Sequence, residues 1–430
     1  MEFVNRYKEI KKISHSTSNL LVIFGRRRIG KTALILKCQN HTERKVKLYY
    51  SQAIEGSESL QVAQICQDIA PLIPEVEISS WLDFFRLLSR VTEPAILVLG
   101  EFPYLVKAQA SLPSILQKFI DHNCPPNLRI ILSGSSQNMM HSLFLSSKSP
   151  LYERAGEILH IQPMNYEYFC SAKNLDPMDQ KNFLRYALVG GVPKYWEFID
   201  AESSLIESAD TLYFETGARL ECEPDRLMKD ENISGEQAKS ILELVGRGVY
   251  RPSEMASRLG IKQTSLSKPL ETLLHASLLT REIPFGKSTR STKRTLYSIA
   301  DPVLLFWYSV YSPHRTLWRQ YDNEQKMKLI HDHASHVFEA EYRRLFYESQ
   351  RYWESSCKFD CVRYADGSGK NIIISELKFR DLKKAEIESL SKQLELKFLR
   401  SKFAQNYSAS FEIVDLKQGL SQFGVHESLG

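Results

Sequence analysis

The residues best placed to do chemistry lie near the start of the chain. An apolar run, Leu20-Leu21-Val22-Ile23-Phe24, passes into Gly25-Arg26-Arg27-Arg28-Ile29-Gly30-Lys31-Thr32 and then into Ala33-Leu34-Ile35-Leu36-Lys37-Cys38. The order reads as strand, glycine-rich loop, helix. Glycines at both ends of such a loop let the backbone wrap closely around a phosphate, with its N–H groups pointing inward and the positive end of the helix behind them. At this spacing, G-x-x-x-x-G-K-T, Lys31 is expected to neutralise the β- and γ-phosphates of a nucleotide and Thr32 to bind Mg²⁺.

Two later strand ends supply candidate partners. Ala95-Ile96-Leu97-Val98-Leu99 is continuously apolar, as in a strand buried on both faces of a parallel sheet, and ends in Gly100-Glu101. A strand of this kind in a P-loop ATPase carries a Mg²⁺-organising Asp followed by a Glu that polarises the attacking water. Here Gly100 stands at the Asp position and Glu101 remains. Leu128-Arg129-Ile130-Ile131-Leu132 ends in Ser133-Gly134-Ser135-Ser136, where a hydroxyl is expected within reach of the γ-phosphate or the water. Arg154, in Pro150-Leu151-Tyr152-Glu153-Arg154, is either a finger on the γ-phosphate, in cis or in trans, or an exposed surface charge. Action in trans would require self-association.

A second set of chemical groups lies in the last third. Asp360 stands on one strand candidate and Glu376-Leu377-Lys378 ends the next, while Glu339 lies in a helical run upstream. Side chains at i and i+2 share a face of a strand, so Glu376 and Lys378 point to one side of a sheet. Two carboxylates and an ammonium there suit Mg²⁺ and a developing phosphate charge, or else form an ion-paired edge strand. Between these sets, Arg251–Ile261 and Thr264–Leu274 form a short helix, a Gly-containing turn and a Ser/Thr/Lys-rich helix that includes Lys268. That arrangement is a helix-turn-helix. The strands after it flank a basic loop holding Lys287, Arg290, Lys293 and Arg294, with no acid from Pro284 to Ala300. Such a wing suits duplex DNA, although winged helices also serve as protein-contact modules.

The frame that must position these groups is large. With 430 residues, 43% of them apolar and 25% charged, the chain has material for several cores and is neither disordered nor disulfide-built. Seven scattered cysteines with no Cys-x-x-Cys argue against a zinc site. A net charge of +5 from 56 basic and 51 acidic residues is too mild to establish a nucleic-acid partner by itself. No apolar stretch approaches the ~20 residues needed to cross a bilayer, and the N-terminus carries no recognisable address, so no membrane partner and a cytoplasmic location are expected. The expected organisation is an α/β P-loop core at residues 1–160, a helical lid and linker at 161–230, a winged helix-turn-helix at 231–300 and a C-terminal α/β domain at 301–430.

Together, Phe3-Val4-Asn5-Arg6, Gly25–Thr32, Glu101-Phe102-Pro103-Tyr104, Gly134-Ser135-Ser136, Arg154 and Gly190-Gly191-Val192-Pro193 resemble the archaeal-type, AAA-related P-loop ATPase family. Asp301-Pro302, Phe338-Glu339, Asp360 and Glu376-Leu377-Lys378 resemble the C-terminal domain that often accompanies it, which is similar to restriction-endonuclease-like nucleases. The resemblance implies ATP and Mg²⁺ as cofactors, Glu101 as the water-activating base, Ser135 or Ser136 as sensor, Arg154 as a finger, and Glu339, Asp360, Glu376 and Lys378 as a nuclease-like site. The family normally has Asp-Glu where this chain has Gly100-Glu101, which implies slow hydrolysis, or an ATP-dependent switch that binds without turnover.

Overall fold

The structure is a computed structural model and describes residues 3–39, 46–73, 77–288, 292 and 294–424. It divides into two compact units. One comprises Phe3–Pro163 together with Arg226–Ser234, and the other Met164–Asp225 with Gly235–Gly430.

The first unit is built on five parallel strands: β1 (Leu20–Phe24), β2 (Lys47–Gln52), β3 (Ala95–Gly100), β4 (Leu128–Gly134) and β5 (Glu157–His160). Their spatial order is β2-β3-β4-β1-β5. Every residue of β1 and of β3 is buried, as the uninterrupted apolar runs require of strands covered by helices on both faces. The core runs from Val22 and Leu97 through Ile130 to Trp81, Phe84, Phe102 and Phe119 on the helices. Because β4 lies between β1 and β3, its tip sits between the glycine-rich loop that follows β1 and the acidic residue that follows β3. In such sheets the ligand crevice lies at the carboxyl ends of the strands.

The second unit begins with helices Tyr166–Lys173, Gln180–Val189, Pro193–Trp196 and Leu205–Ala209. These fall in the segment expected to be a lid, 161–230, yet residues 164–225 cluster with the C-terminal part of the chain. The physical reason is aromatic packing: Phe183 stacks on Phe423 at 5.8 Å and meets Phe338 edge-on at 5.7 Å and Phe379 at 5.5 Å. The Asp301-Pro302 segment is a capped helix start, in which Asp301 accepts from the Leu304 N–H at 2.9 Å, and Phe306 packs on Tyr213 at 4.5 Å.

Helices Glu236–Gly246, Pro252–Leu259 and Ser267–His275 precede a two-stranded antiparallel hairpin, β6 (Leu279–Glu282) and β7 (Leu296–Ile299). Gly260 ends the middle helix at φ +65°, a conformation that favours glycine. A long helix, Asn323–Arg344, then leads into β8 (Gln350–Trp353), β9 (Lys358–Tyr364) and β10 (Asn371–Leu377), joined antiparallel. Helix Lys384–Leu399 crosses over to β11 (Ser408–Val414), which pairs parallel to β10. Phe285, at the base of the β6–β7 loop, is buried in the core of this sheet against Tyr364, Phe403 and Tyr407. Among the described residues, no helix is long and apolar enough to cross a membrane.

Candidate functional site

The loop Gly25–Thr32 joins β1 to helix Lys31–Gln39. Gly25 lies so close to the chain ahead of it that a Cβ there would stand 2.5 Å from the carbonyl oxygen of Ile161, so no larger residue fits without displacing backbone. Gly30 takes φ +96°, a conformation that side chains avoid, and a Cβ there would meet nothing within 4 Å. Ile29, 1% exposed, pins the loop to the core, Arg26 is buried and Arg27 projects outward. Arg28 adopts φ +70°.

Lys31 is only 8% exposed, and its Nζ donates to the loop carbonyls of Gly25 at 2.7 Å and Arg26 at 3.2 Å. Burial lowers its pKa to about 8, against the opposing pull of Glu101, Glu231 and Asp230. A desolvated ammonium in a cradle of backbone fits a polyphosphate, whose charge would hold the proton on. The sign of the pH effect follows. ATP affinity stays flat below about pH 7.5 and falls as pH rises through 8, approaching tenfold per pH unit, because the free protein loses a proton that the complex keeps. Titration with a fluorescent ATP analogue between about pH 6.5 and 9.5 measures this. A fall complete below pH 8 would belong to Glu231 instead, whose pKa is about 7.

Glu101 and Ser135, read separately from two strand ends, meet. Ser135 donates its N–H at 3.2 Å and its Oγ–H at 2.7 Å to Glu101 Oε2. Glu101 itself sits in the left-handed region at φ +52°, a strained setting for a non-glycine residue that turns its side chain off the end of β3. Ser136 instead caps helix Gln137–Phe144, accepting from the Met139 N–H at 3.4 Å. Thr32 is exposed, with its Oγ1 3.4 Å from the hydroxyl of Tyr50 on β2. Hydroxyl and carboxylate oxygens at one end of the sheet are the hard donors that Mg²⁺ takes, and Thr32 is the residue that would hold it.

Arg154 lies elsewhere. Its Nε donates to Asp121 at 2.8 and 3.2 Å, and Gly156, two residues on, bonds to the Leu20 carbonyl at the start of β1. The phosphate loop follows the other end of that strand, about 16 Å away at 3.3 Å per residue. The structure therefore does not bring Arg154 to the phosphate loop of its own chain.

Sequence reading missed the acidic segment Asp230-Glu231-Asn232. Asp230 pairs with Arg27 of the loop at 3.0 Å, and Asn232 Oδ1 accepts from Lys107 at 2.9 Å. Glu231 accepts from the N–H groups of Gln137 at 3.0 Å and Asn138 at 2.9 Å, at the start of the helix that Ser136 caps. Burial raises its pKa to about 7, more than these hydrogen bonds lower it. No local signal marked these residues: three polar positions beyond a linker show their role only once the chain returns to the sheet.

In the second unit, register continues the β9–β10 pairing of Ser375 with Cys361 to bring Glu376 opposite Asp360. Asp360 Oδ2 accepts from the Leu377 N–H at 3.3 Å, and its other oxygen lies 3.5 Å from Lys358. Glu376 pairs with Lys378 at 2.8 Å and Lys397 at 3.7 Å. Glu339 faces Arg351 at 3.3 Å and Arg343 at 3.8 Å. Among the described residues, no group of three or more His, Cys, Asp and Glu side chains is placed to hold a metal ion. Lys268, Lys287 and Arg294 are exposed, whereas Arg290 and Lys293 lie outside the described residues.

Comparison with known proteins reaches the sheet of the first unit and the first helices of the second. Residues 3–198 match a family described as an ATPase domain predominantly from Archaea. An uncharacterized protein of Methanocaldococcus jannaschii is 27% identical over 447 residues, covering 96% of each chain. Among solved structures, a Walker-type ATPase of Pyrococcus abyssi superposes with a TM-score of 0.52 at 19% identity, over 71% of this chain and 96% of that one. The ORC2 protein of Aeropyrum pernix superposes more loosely, with a TM-score of 0.43 at 13% identity over 78% of this chain and 95% of that one, and bears no weight here. Over residues 3–198 the chain thus matches an ATPase domain of the archaeal type, and its five-stranded parallel sheet is consistent with a P-loop fold.

Proposed function

We propose that the protein binds and hydrolyses Mg-ATP, and that its C-terminal half applies this cycle to duplex DNA. The observation that carries the reading is the meeting of Glu101 and Ser135 at the sheet end that also holds Lys31 and Thr32. Lys31 and the loop N–H groups hold the β- and γ-phosphates, and Glu101 accepts a proton from the water attacking the γ-phosphorus. Ser135 keeps that carboxylate in place and releases it when a phosphate oxygen competes for its hydroxyl. Magnesium, when bound through Thr32, supplies charge neutralisation between the phosphates. Arg154 belongs to this reading only as a finger offered to a second copy of the chain.

Three short helices followed by a hairpin support a winged helix at 236–299, with Lys268, Lys287 and Arg294 as phosphate contacts. The order of helix, three antiparallel strands, crossover helix and parallel strand supports the nuclease-like reading of the last domain, with Asp360 and Glu376 on adjoining strands and Lys378 just past the end of the second. Gly100 favours a second reading in which nucleotide binding switches a DNA or protein contact with little turnover.

One preparation tests these together: phosphate release from Mg-ATP with and without supercoiled plasmid, the plasmid then scored for nicking beside an Asp360→Ala variant. Turnover stimulated by DNA is expected. Tight binding without turnover selects the switch, and nicking unchanged in Asp360→Ala removes the nuclease-like site.

A further inference from the structure

The strand end that should carry a metal-organising aspartate carries Gly100, and the structure shows what occupies the space. A Cβ on Gly100 would lie 2.8 Å from the hydroxyl of Tyr50 and 3.2 Å from its Cζ. The first distance is closer than packed Cβ atoms come to anything, so a side chain at position 100 would push the phenol of Tyr50 out of this position. Pairing of β2 with β3 sets Tyr50 beside Val98 and Gln52 beside Gly100. The side chain of Tyr50 reaches along its strand toward the tip of β3. Its hydroxyl stops 3.4 Å from Thr32 Oγ1 and 3.5 Å from Gln52 Oε1.

We propose that Tyr50 takes over the work of the absent aspartate, as a positioning residue whose phenolic hydroxyl orients the Thr32 hydroxyl toward the magnesium of Mg-ATP. The inference rests on the reading of Gly25–Thr32 as a Mg-ATP site. The chemistry suits the exchange. An aspartate in this place acts through a hydrogen bond to the threonine and to metal-bound water, and a phenol both donates and accepts such bonds. It brings no negative charge, so Thr32 would hold the metal without a carboxylate at position 100. The Tyr50–Thr32 contact is loose, as such contacts are before substrate tightens them. Gly100 then follows from Tyr50: only a residue without a side chain leaves the phenol its place.

The test measures binding of a fluorescent ATP analogue as Mg²⁺ is raised, independently of turnover. Tyr50→Phe keeps the ring and removes the hydroxyl. It is expected to raise the Mg²⁺ concentration for half-maximal binding about tenfold or more, the usual effect of losing a group that orients a metal ligand. Binding in EDTA should stay as in the wild type, which a merely misfolded loop would not allow. Gly100→Asp alone should not lower the Mg²⁺ requirement, because its side chain collides with the phenol, whereas Tyr50→Ala combined with Gly100→Asp should bring it to the wild-type level or below. Wild-type Mg²⁺ dependence in Tyr50→Phe overturns the proposal and leaves the ATP site standing, as does a gain from Gly100→Asp alone. A wild-type protein that binds no analogue at any Mg²⁺ concentration overturns the ATP site and this inference together.

Discussion

Lys31→Ala is expected to abolish measurable ATP binding while leaving the protein about as stable as before. The two effects have one cause. A charge-assisted hydrogen bond contributes about 1.5–3 kcal/mol, and Lys31 would make one to each of two phosphates, so about 3–6 kcal/mol is lost and affinity falls about 10²–10⁴-fold. The fold, however, loses little. Burial lowers the Lys31 pKa to about 8 from an ordinary value of 10.5. Holding the charged form inside therefore costs roughly 3 kcal/mol at neutral pH, about what the two bonds to the Gly25 and Arg26 carbonyls return. Isothermal titration of ATP together with a melting curve reads both. Retained affinity would end the ATP reading, whereas a large drop in Tm would assign the lost binding to damage of the loop.

Glu101→Gln separates binding from chemistry. The amide oxygen of Gln can still accept from Ser135, whose N–H and hydroxyl hold the wild-type carboxylate at 3.2 and 2.7 Å, so the side chain should stay in place. It cannot take a proton. General-base catalysis contributes about 10²–10⁴-fold, and kcat should fall by that factor with ATP affinity unchanged. Steady-state phosphate release beside equilibrium binding measures the split. An undiminished rate would move the base elsewhere, and Glu231, buried with a pKa of about 7, is the carboxyl whose proton affinity suits the task.

What the sequence disclosed about this site, it disclosed through local pattern. An apolar run that ends abruptly in Gly-x-x-x-x-Gly-Lys-Thr, in Gly-Glu or in Ser-Gly-Ser-Ser marks a strand and its tip, so Lys31, Thr32, Glu101 and Ser135 were legible as candidates. Their meeting depends on β4 lying between β1 and β3. Arg154 has the right chemistry and the wrong end of the sheet, a distinction that side-chain type cannot express. Tyr50 reads as an ordinary aromatic strand residue until the β2–β3 register sets it against Gly100. The helices of 164–225 have apolar faces that suit a lid as well as any other contact, and the aromatic partners that claim them, Phe338, Phe379 and Phe423, come more than a hundred residues later. In the C-terminal sheet, the alternation of strands and the pairing of Glu376 with Lys378 were legible, but Lys358, Lys397, Arg343 and Arg351, which also neutralise Asp360, Glu376 and Glu339, were not.

The return of Arg226–Ser234 to the first unit has a consequence for biosynthesis. The chain leaves that unit after Pro163 and comes back only at Arg226. On the ribosome, the sheet and its phosphate loop are therefore synthesised well before Asp230 and Glu231, which answer Arg27 and the start of helix Gln137–Phe144. Until those residues emerge, the start of helix Gln137–Phe144 lacks the Glu231 carboxylate and Arg27 of the phosphate loop lacks Asp230, which leaves the nascent site more positive toward any polyanion nearby. A fragment cut at residue 198, where the family match ends, would be frozen in that unfinished state.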